Sequence, residues 1–388
     1  MAVEVDEIGQ DRLLGAAQWG RPGHRTAPRG RSYRHGVMTM APPPRFRKYN
    51  PAMLKEALAR LVERRDLAAE EAAAALGEIM DGAATPAQIA AFATALRMKG
   101  ETAAEIVGCA RAMRQRVVRV AAPDGVVLDT CGTGGDGRGT FNFSTAAAIV
   151  VAACGVVVAK HGNRAASSKC GSADLLEQLG LKIELPKERL EAGLREVGIA
   201  YLHAPALHPA MKHAGPVRRE LGFRTIFNCL GPLTNPAFAN VQTIGIFSPA
   251  LVRPFAEALR DLGSKAAFTF HGAGGLDEVS LLGPTRAARL KDGRVSALTL
   301  EPKQAGLRRA KEADLAGGTP QDNAAIARRV LGGEKGAYRD GVVYSAAIAL
   351  IAAGKADSPK SGAGRAAGAL DSGDAQRLME KWAAFTQA

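Results

Sequence analysis

The sequence predicts an α/β protein, with a small N-terminal all-helical domain and a larger domain whose central, mainly parallel sheet is flanked by helices. Two patterns along the chain and its size carry that prediction. Residues 52–120 hold helices with clear start signals, and from Gly125 onward short apolar runs alternate with helical stretches, the signature of a parallel sheet. At 388 residues and 47% hydrophobic composition, the chain can bury a sizeable core in two unequal domains. The expected division is residues 1–48, 49–123 (joined by helices from about 205–235) and 124–388.

Residues 1–48 stand apart. Four acids fall in residues 1–11 and nine bases, with no acid, in 12–48, a surplus of five in a net charge of +13. The segment is rich in Arg, Pro and Gly and has no helical or strand period, so it reads as disordered. It is either a basic tail for nucleic acid or, as the composition favours, an incidental extension upstream of a start at Met38 or Met40. The remaining +8 suits a protein that concentrates anionic ligands in a positive cleft.

The helical elements come next. In Thr85-Pro-Ala-Gln88, Thr85 can cap, Pro86 occupies the first helical position and Gln88 closes a capping box. Ile89, Phe92, Ala93 and Leu96 share one face of that helix, which stops at Gly100. Thr102-Ala-Ala-Glu105 repeats the logic for the next helix, with Ile106, Ala110 and Met113 facing inward. Short apolar helices of this kind pack against a second copy of themselves, so a homodimer through this domain is expected.

The strands then follow in order. Gly125–Asp129 and Val156–Lys160 are short apolar runs of buried-strand type, separated by an Ala/Val-rich helix opening at Ser144-Thr145 and ending near Gly155. Further candidates are Leu181–Leu185, Ile199–Leu202, Thr243–Phe247 and Ala266–Phe270. Ligands bind such sheets at the carboxyl ends of the strands, so the loops after Asp129, Lys160 and Phe270 matter most.

The loop after Asp129 reads Cys131-Gly-Thr-Gly-Gly-Asp-Gly137. It satisfies G-x-G-x-x-G formally, but a dinucleotide fold also needs an acid about 20 residues on. No Asp or Glu occurs from Gly137 to Ala173, and the helix starts too late, at Ser144. A P-loop fails for want of Gly-Lys-Ser/Thr. The 37 residues from Gly137 to Ala173 nevertheless hold four bases, Arg138, Lys160, Arg164 and Lys169, beside His161. Glycine N–H groups, a helix N-terminus and the hydroxyls of Ser144 and Thr145 make a site for phosphorylated sugar. In the second loop, Lys160 to Asp174, Cys170 lacks a base other than His161 and is a poor nucleophile, and Asp174 starts the helix Leu175–Leu179.

Composition excludes other classes. Five widely spaced cysteines without a C-x-x-C pair give neither a disulfide framework nor a zinc site. The longest apolar run, Thr145 to Ala159, falls short of the roughly 20 residues that span a bilayer. No secretory signal is evident. A cytoplasmic protein with no membrane partner and no nucleic-acid partner is expected.

The chain resembles the anthranilate phosphoribosyltransferases. The resemblance runs from near Asn50 essentially to the C-terminus. It rests on Thr85-Pro-Ala-Gln-Ile-Ala-Ala-Phe92, Ala95-Leu-Arg-Met-Lys-Gly-Glu-Thr102, Gly132-Thr-Gly-Gly-Asp136, Asn142-Phe-Ser-Thr145 and Lys160-His-Gly-Asn163. It continues through His208-Pro-Ala-Met-Lys212, Arg224-Thr-Ile-Phe-Asn228, Leu230-Gly-Pro-Leu-Thr-Asn-Pro236 and Asp277-Glu278. It implies transfer of phosphoribose from phosphoribosyl pyrophosphate to the amine of anthranilate, in tryptophan biosynthesis. On that resemblance the donor-binding positions are Gly132, Gly135, Asp136, Thr140, Asn142, Phe143, Ser144, Thr145, Lys160, His161, Gly162, Asn163, Arg164, Ala165, Ala166, Ser167, Ser168 and Ser172. Anthranilate falls to Gly132, Asn163 and Arg218, with His161, His208 and Pro232 lining its tunnel, and Mg2+ to Ser144, Asp277 and Glu278. One departure is Tyr344-Ser345, where the family usually has Leu-Asn, in a helix expected to lie away from these motifs. A pyrimidine-nucleoside phosphorylase is the rival reading; it would carry a Lys-His-Ser-type motif where this chain has Lys160-His-Gly-Asn163.

Overall fold

The computed structural model describes residues 53–134, 137–165 and 169–388; the expectations for the Arg-rich leader lie outside them. Four helices come first: α1 (Met53–Val62), α2 (Ala69–Met80), α3 (Pro86–Lys99) and α4 (Ala103–Arg114). Local chemistry fixes their ends. The Gln88 carboxamide accepts from Thr85 N–H at 2.9 Å while Gln88 N–H reaches Thr85 Oγ1 at 3.3 Å. Thr102 and Glu105 form the same reciprocal pair on α4, and Gly100, at φ 91°, ends α3 in a conformation that favours glycine. Where α2 and α4 cross, Gly108 permits the approach: a Cβ there would stand 2.1 Å from the Ala69 carbonyl oxygen.

The alternating region comprises β1 (Val127–Gly132), α5 (Phe143–Ala153), β2 (Val157–Gly162), α6 (Ser172–Gln178), α7 (Lys187–Glu196) and β3 (Ile199–His203). Next come α8 (Ala204–Leu207), α9 (Gly215–Leu221), α10 (Ile226–Leu233), β4 (Val241–Gly245), α11 (Val252–Asp261) and β5 (Ala266–His271). Helices α9 and α10 pack on α3, and α10 also on α4, so one apolar cluster runs from Leu54 and Phe92 to Val217 and Phe227.

The sheet order is β3-β2-β1-β4-β5-β6-β7. Its first five strands are parallel, and the order reverses between β1 and β4, where open α/β sheets place their ligands. The last two strands, β6 (Thr285–Lys291) and β7 (Arg294–Leu300), form an antiparallel hairpin. Sequence patterning missed this hairpin because its strands are charged and half exposed. The signal present was Asp292-Gly293, whose positive φ values of 49° and 72° fit the tight-hairpin turn such a dipeptide favours. Four helices complete the chain: α12 (Pro320–Leu331), α13 (Ala337–Ala352), α14 (Pro359–Asp371) and α15 (Asp374–Gln387). The buried α13 packs on α5 behind the sheet.

The expected strand at Leu181–Leu185 does not form. Its alternating apolar residues Leu181 and Ile183 are buried as a strand's would be. However, Lys182 N–H bonds to Thr386 Oγ1 of α15 at 3.1 Å, and no neighbouring strand takes up the segment. Periodicity read its burial correctly and its backbone partner wrongly.

Candidate active site

The carboxyl ends of β1 and β4 are both glycines, Gly132 and Gly245, and the loop after β5 lies directly on them. A Cβ at Gly132 would stand 2.7 Å from Asp277 Oδ2, and one at Gly245 only 1.6 Å from the Asp277 carbonyl oxygen. Asp277 Oδ2 accepts from Gly134 N–H at 2.7 Å, and Glu278 Oε1 accepts from Ser144 N–H at 3.1 Å. The acidic pair, 143 residues from Gly134 in sequence, therefore meets both the glycine loop and the first turn of α5. Glu278 is buried, and burial, with the charge of Asp277 second, pushes its carboxyl up to about 8.

The frame around that first turn is built from side chains. Thr130 Oγ1 donates to Ser144 O at 3.0 Å. Asn142 donates to Cys170 O at 3.1 Å and accepts from Asn323 Nδ2 at 2.8 Å, which ties the glycine loop to the second loop and to α12. Thr140 is bridged to Ala316. Thr133, inside the loop, bonds back to β4: its N–H to Gly245 O at 2.8 Å, and its Oγ1 from Phe247 N–H at 2.9 Å. Phe143 and Thr145 are buried, so they contribute the helix N-terminus rather than exposed side chains. Gly135 and Asp136 lie outside the described residues.

On β2, Lys160 is buried and its Nζ donates to Thr130 O at 2.5 Å. Burial lowers its pKa, opposed chiefly by the Asp129 carboxylate. The ammonium thus lies beneath the glycine loop. In the next loop, Asn163 Oδ1 accepts from Arg164 N–H at 2.7 Å, and Ser172 Oγ lies 3.2 Å from Asn163 O and 2.9 Å from Tyr201 Oη. Gly162 admits this contact, since a Cβ there would be 2.3 Å from Ser172 Oγ. Arg164 is engaged on α6, at 2.6 and 2.7 Å from the Glu177 carboxylate and 3.2 Å from Asp174. Ala165 N–H is taken by Asp174 Oδ2 at 2.9 Å. Ala166, Ser167 and Ser168 lie outside the described residues. Cys170 is buried, its thiol pushed up to about 11 by burial, which fits no nucleophilic role.

Two histidines meet beside this loop. His161 Nδ1 lies 3.0 Å from Gly231 O, and His208 Nε2 lies 3.1 Å from His161 Nε2. Burial holds both imidazoles neutral, lowering His161 to about 3 and His208 to about 4. A carbonyl can only accept, so His161 Nδ1–H donates to Gly231 and His161 Nε2 accepts from His208 Nε2–H. Pro232 follows Gly231 in the last turn of α10 and is buried. Arg218 on α9 is half-buried, its guanidinium 5.8 Å from the Phe227 ring centroid; no carboxylate of the described residues pairs with it. Helix α9 packs on the turn that follows His208.

Sequence reasoning missed several participants. Ser345, expected away from the motifs, lines a small cavity with Thr130, Ser144, Thr243 and Glu278, because α13 runs behind α5; its Oγ has no partner among the described residues. Asn323 and Tyr201 carry no local motif that could have flagged them, whereas Thr133 sits inside a quoted motif.

Fold and site together define a glycosyl transferase with a helical bundle and an a/b domain. The glycosyl transferase family helical bundle domain matches residues 55–117 and the family's a/b domain residues 124–376. Within that class, the chain belongs to the anthranilate phosphoribosyltransferase family. It is 52% identical over 334 residues to the anthranilate phosphoribosyltransferase of Pelotomaculum thermopropionicum, covering 86% of this chain and 97% of that one. The crystal structure of the Thermus thermophilus enzyme superposes with a TM-score of 0.81 at 45% identity, covering 86% and 99% of the two chains. The Saccharomyces cerevisiae enzyme in complex with PRPP and Mg gives 0.80 at 29% identity, covering 87% and 98%. None of the described helices is long and apolar enough to cross a membrane.

Proposed function

We infer that this chain transfers the 5-phosphoribosyl group of phosphoribosyl pyrophosphate to the amine of anthranilate, giving N-(5-phosphoribosyl)anthranilate and pyrophosphate, a step of tryptophan biosynthesis. The observation that carries the reading is the convergence of Asp277 and Glu278 on the glycine loop and on the α5 N-terminus. That geometry joins hard oxygen donors to a backbone cradle for phosphate.

The donor is bound by Gly132, Gly135, Asp136, Thr140, Asn142–Thr145, Lys160–Ser168 and Ser172. Lys160 acts through its field beneath the loop, and Arg164 must leave Glu177 if it is to touch phosphate. The anthranilate carboxylate pairs with Arg218, for which a planar guanidinium fork is the natural partner. Its ring lies along Gly132, Asn163, His161, His208 and Pro232.

The C1–O bond to pyrophosphate breaks as positive charge builds on the ribose ring. The amine then forms the C1–N bond from the opposite face and gives up a proton. No protein nucleophile is needed; the chain's part is to hold the two substrates in line and to offer N–H groups to the departing pyrophosphate. Ser144, Asp277 and Glu278 fit a magnesium site: they supply two carboxylates and a hydroxyl, hard oxygen donors brought together at the glycine loop and the first turn of α5. Such a set leaves room for substrate phosphate oxygens, as magnesium sites do, and a bound Mg2+ would neutralise charge on the leaving pyrophosphate.

The helical domain, residues 49–123 with helices from 205–235, carries a homodimer contact in this reading; Val62 and Met98, about 70% exposed, are apolar groups suited to burial there. The assay is loss of anthranilate fluorescence, expected only with both phosphoribosyl pyrophosphate and Mg2+ present. Phosphate-dependent cleavage of a pyrimidine nucleoside without that loss would replace this reading with the phosphorylase one.

A further inference from the structure

Side chains from neighbouring elements take the carbonyls at the last turn of α10, where a helix runs out of its own donors, Gly231 O accepting from Thr234 N–H at 3.2 Å as well. His161 on β2 holds Gly231 O, Gln242 on β4 donates from Nε2 to Pro232 O at 2.7 Å, and Arg114 on α4 donates to Leu233 O at 2.7 Å. Two residues on, Asn235 Nδ2 donates to Asp129 Oδ2 at 2.8 Å and to Ala159 O at 2.7 Å, and its Oδ1 accepts from Ala237 N–H at 2.8 Å. Asp129 Oδ1 in turn accepts from His161 N–H at 3.1 Å.

Asp129 and Gln242 are direct partners across β1 and β4, and both are completely buried. A polar group in the core costs free energy unless bonded; Asp129 also faces the buried Lys160 ammonium, whereas the one side-chain hydrogen bond of Gln242 among the described residues is the one to Pro232 O, its Oε1 having no partner there. What they share is the segment Gly231–Asn235, gripped at one end by Gln242 and at the other by Asp129 through Asn235. That segment holds Pro232 and the carbonyl that sets the tautomer of His161.

We propose that Gln242 and Asp129 are positioning residues of the acceptor subsite, fixing the Gly231–Asn235 wall against which the aromatic acceptor lies. The inference rests on the acceptor placement proposed above. The one side-chain hydrogen bond of Gln242 among the described residues goes to the wall, so its loss should act on the acceptor alone. Asp129 also holds His161 N–H at the exit of β2, where the donor loop begins, and is the carboxylate that faces the Lys160 ammonium, so its loss acts on both substrates.

The test is steady-state kinetics of Gln242→Met and Asp129→Asn, with the dissociation constant of anthranilate measured from its own fluorescence and folding checked by circular dichroism and melting. Gln242→Met removes one buried hydrogen bond, so KM and Kd for anthranilate should rise about five- to tenfold, with KM for phosphoribosyl pyrophosphate within about twofold of the parent. Asp129→Asn should raise both KM values. A folded Gln242→Met with unchanged anthranilate KM overturns the proposal. So does a loss of activity that follows only the folded fraction, with no separation of the two KM values. If Gln242→Met does not fold, a folded Asp129→Asn with both KM values unchanged overturns it equally. Failure of the parent to consume anthranilate would instead sink the functional reading on which the proposal rests.

Discussion

Arg218 illustrates how a single side chain carries testable chemistry. Half-buried, with the Phe227 ring beside it and no carboxylate of the described residues paired to it, it keeps a charge that burial makes costly unless a ligand anion supplies the partner. Replacing it with Ala should raise KM for anthranilate by about 10- to 100-fold, the cost of one charge-assisted pair, with the donor KM little changed; unaltered anthranilate kinetics would remove Arg218 from the acceptor subsite. His208 makes a second prediction. Its folded pKa lies near 4, below the ordinary value of 6.5, so the unfolded chain takes up this proton first as pH falls. Stability from the neutral imidazole is complete above pH 6.5 and is lost towards pH 4. Relative to His208→Gln, which does not titrate, the parent should lose up to about 1.4 kcal/mol per pH unit across that window. Denaturant melts of the two proteins at pH 7, 6 and 5 check the slope.

At the scale of elements, the site depends on two strand ends that carry no side chain. Gly132 and Gly245 let the β5–β6 connection cross the sheet edge so that Asp277 and Glu278 face the α5 N-terminus. In Gly245→Ala the new methyl would meet the Asp277 carbonyl oxygen at 1.6 Å, and the loop must move by more than an ångström. Displacement on that scale costs on the order of 100-fold in turnover. The expected result is a large fall in kcat and a raised Mg2+ requirement, with the fold retained by circular dichroism; near-parental kcat would show that the loop position is not critical.

For the whole molecule, the helices before β1 share one apolar cluster with α9, α10 and the face of the sheet against which α11 packs. The wall of the proposed acceptor subsite therefore belongs to both helical and sheet packing, with Arg114 bridging Leu233 O and Leu262 O. Exposed Val62 and Met98 on the first helices are the expected dimer contact. Light scattering should give twice the chain mass for the parent and a shift to monomer for Met98→Glu; a parent that runs as a monomer at assay concentrations would exclude the homodimer.

Capping boxes at Thr85 and Thr102, the glycine-rich loop, the acid-free basic stretch and the short apolar strands are local, and local chemistry made them legible without coordinates. Periods of 3.6 and 2 residues, turn residues and charge spacing act over a few residues, so the helical start and five of the six expected strands followed from the sequence by itself, and the glycine-rich loop stood out as a candidate phosphate site. It also supplied Asp277-Glu278 and Arg218 as candidates, by resemblance. Only the tertiary structure decided what met them. The contact of Asp277 with Gly134, the His161–His208 pair, Asn323 on Asn142, Ser345 behind Glu278, and the grip of Asp129 and Gln242 on α10 join residues far apart in sequence. Such contacts are set by which strands pair and which helix faces are buried together, and no periodicity along the chain encodes a distance across the fold.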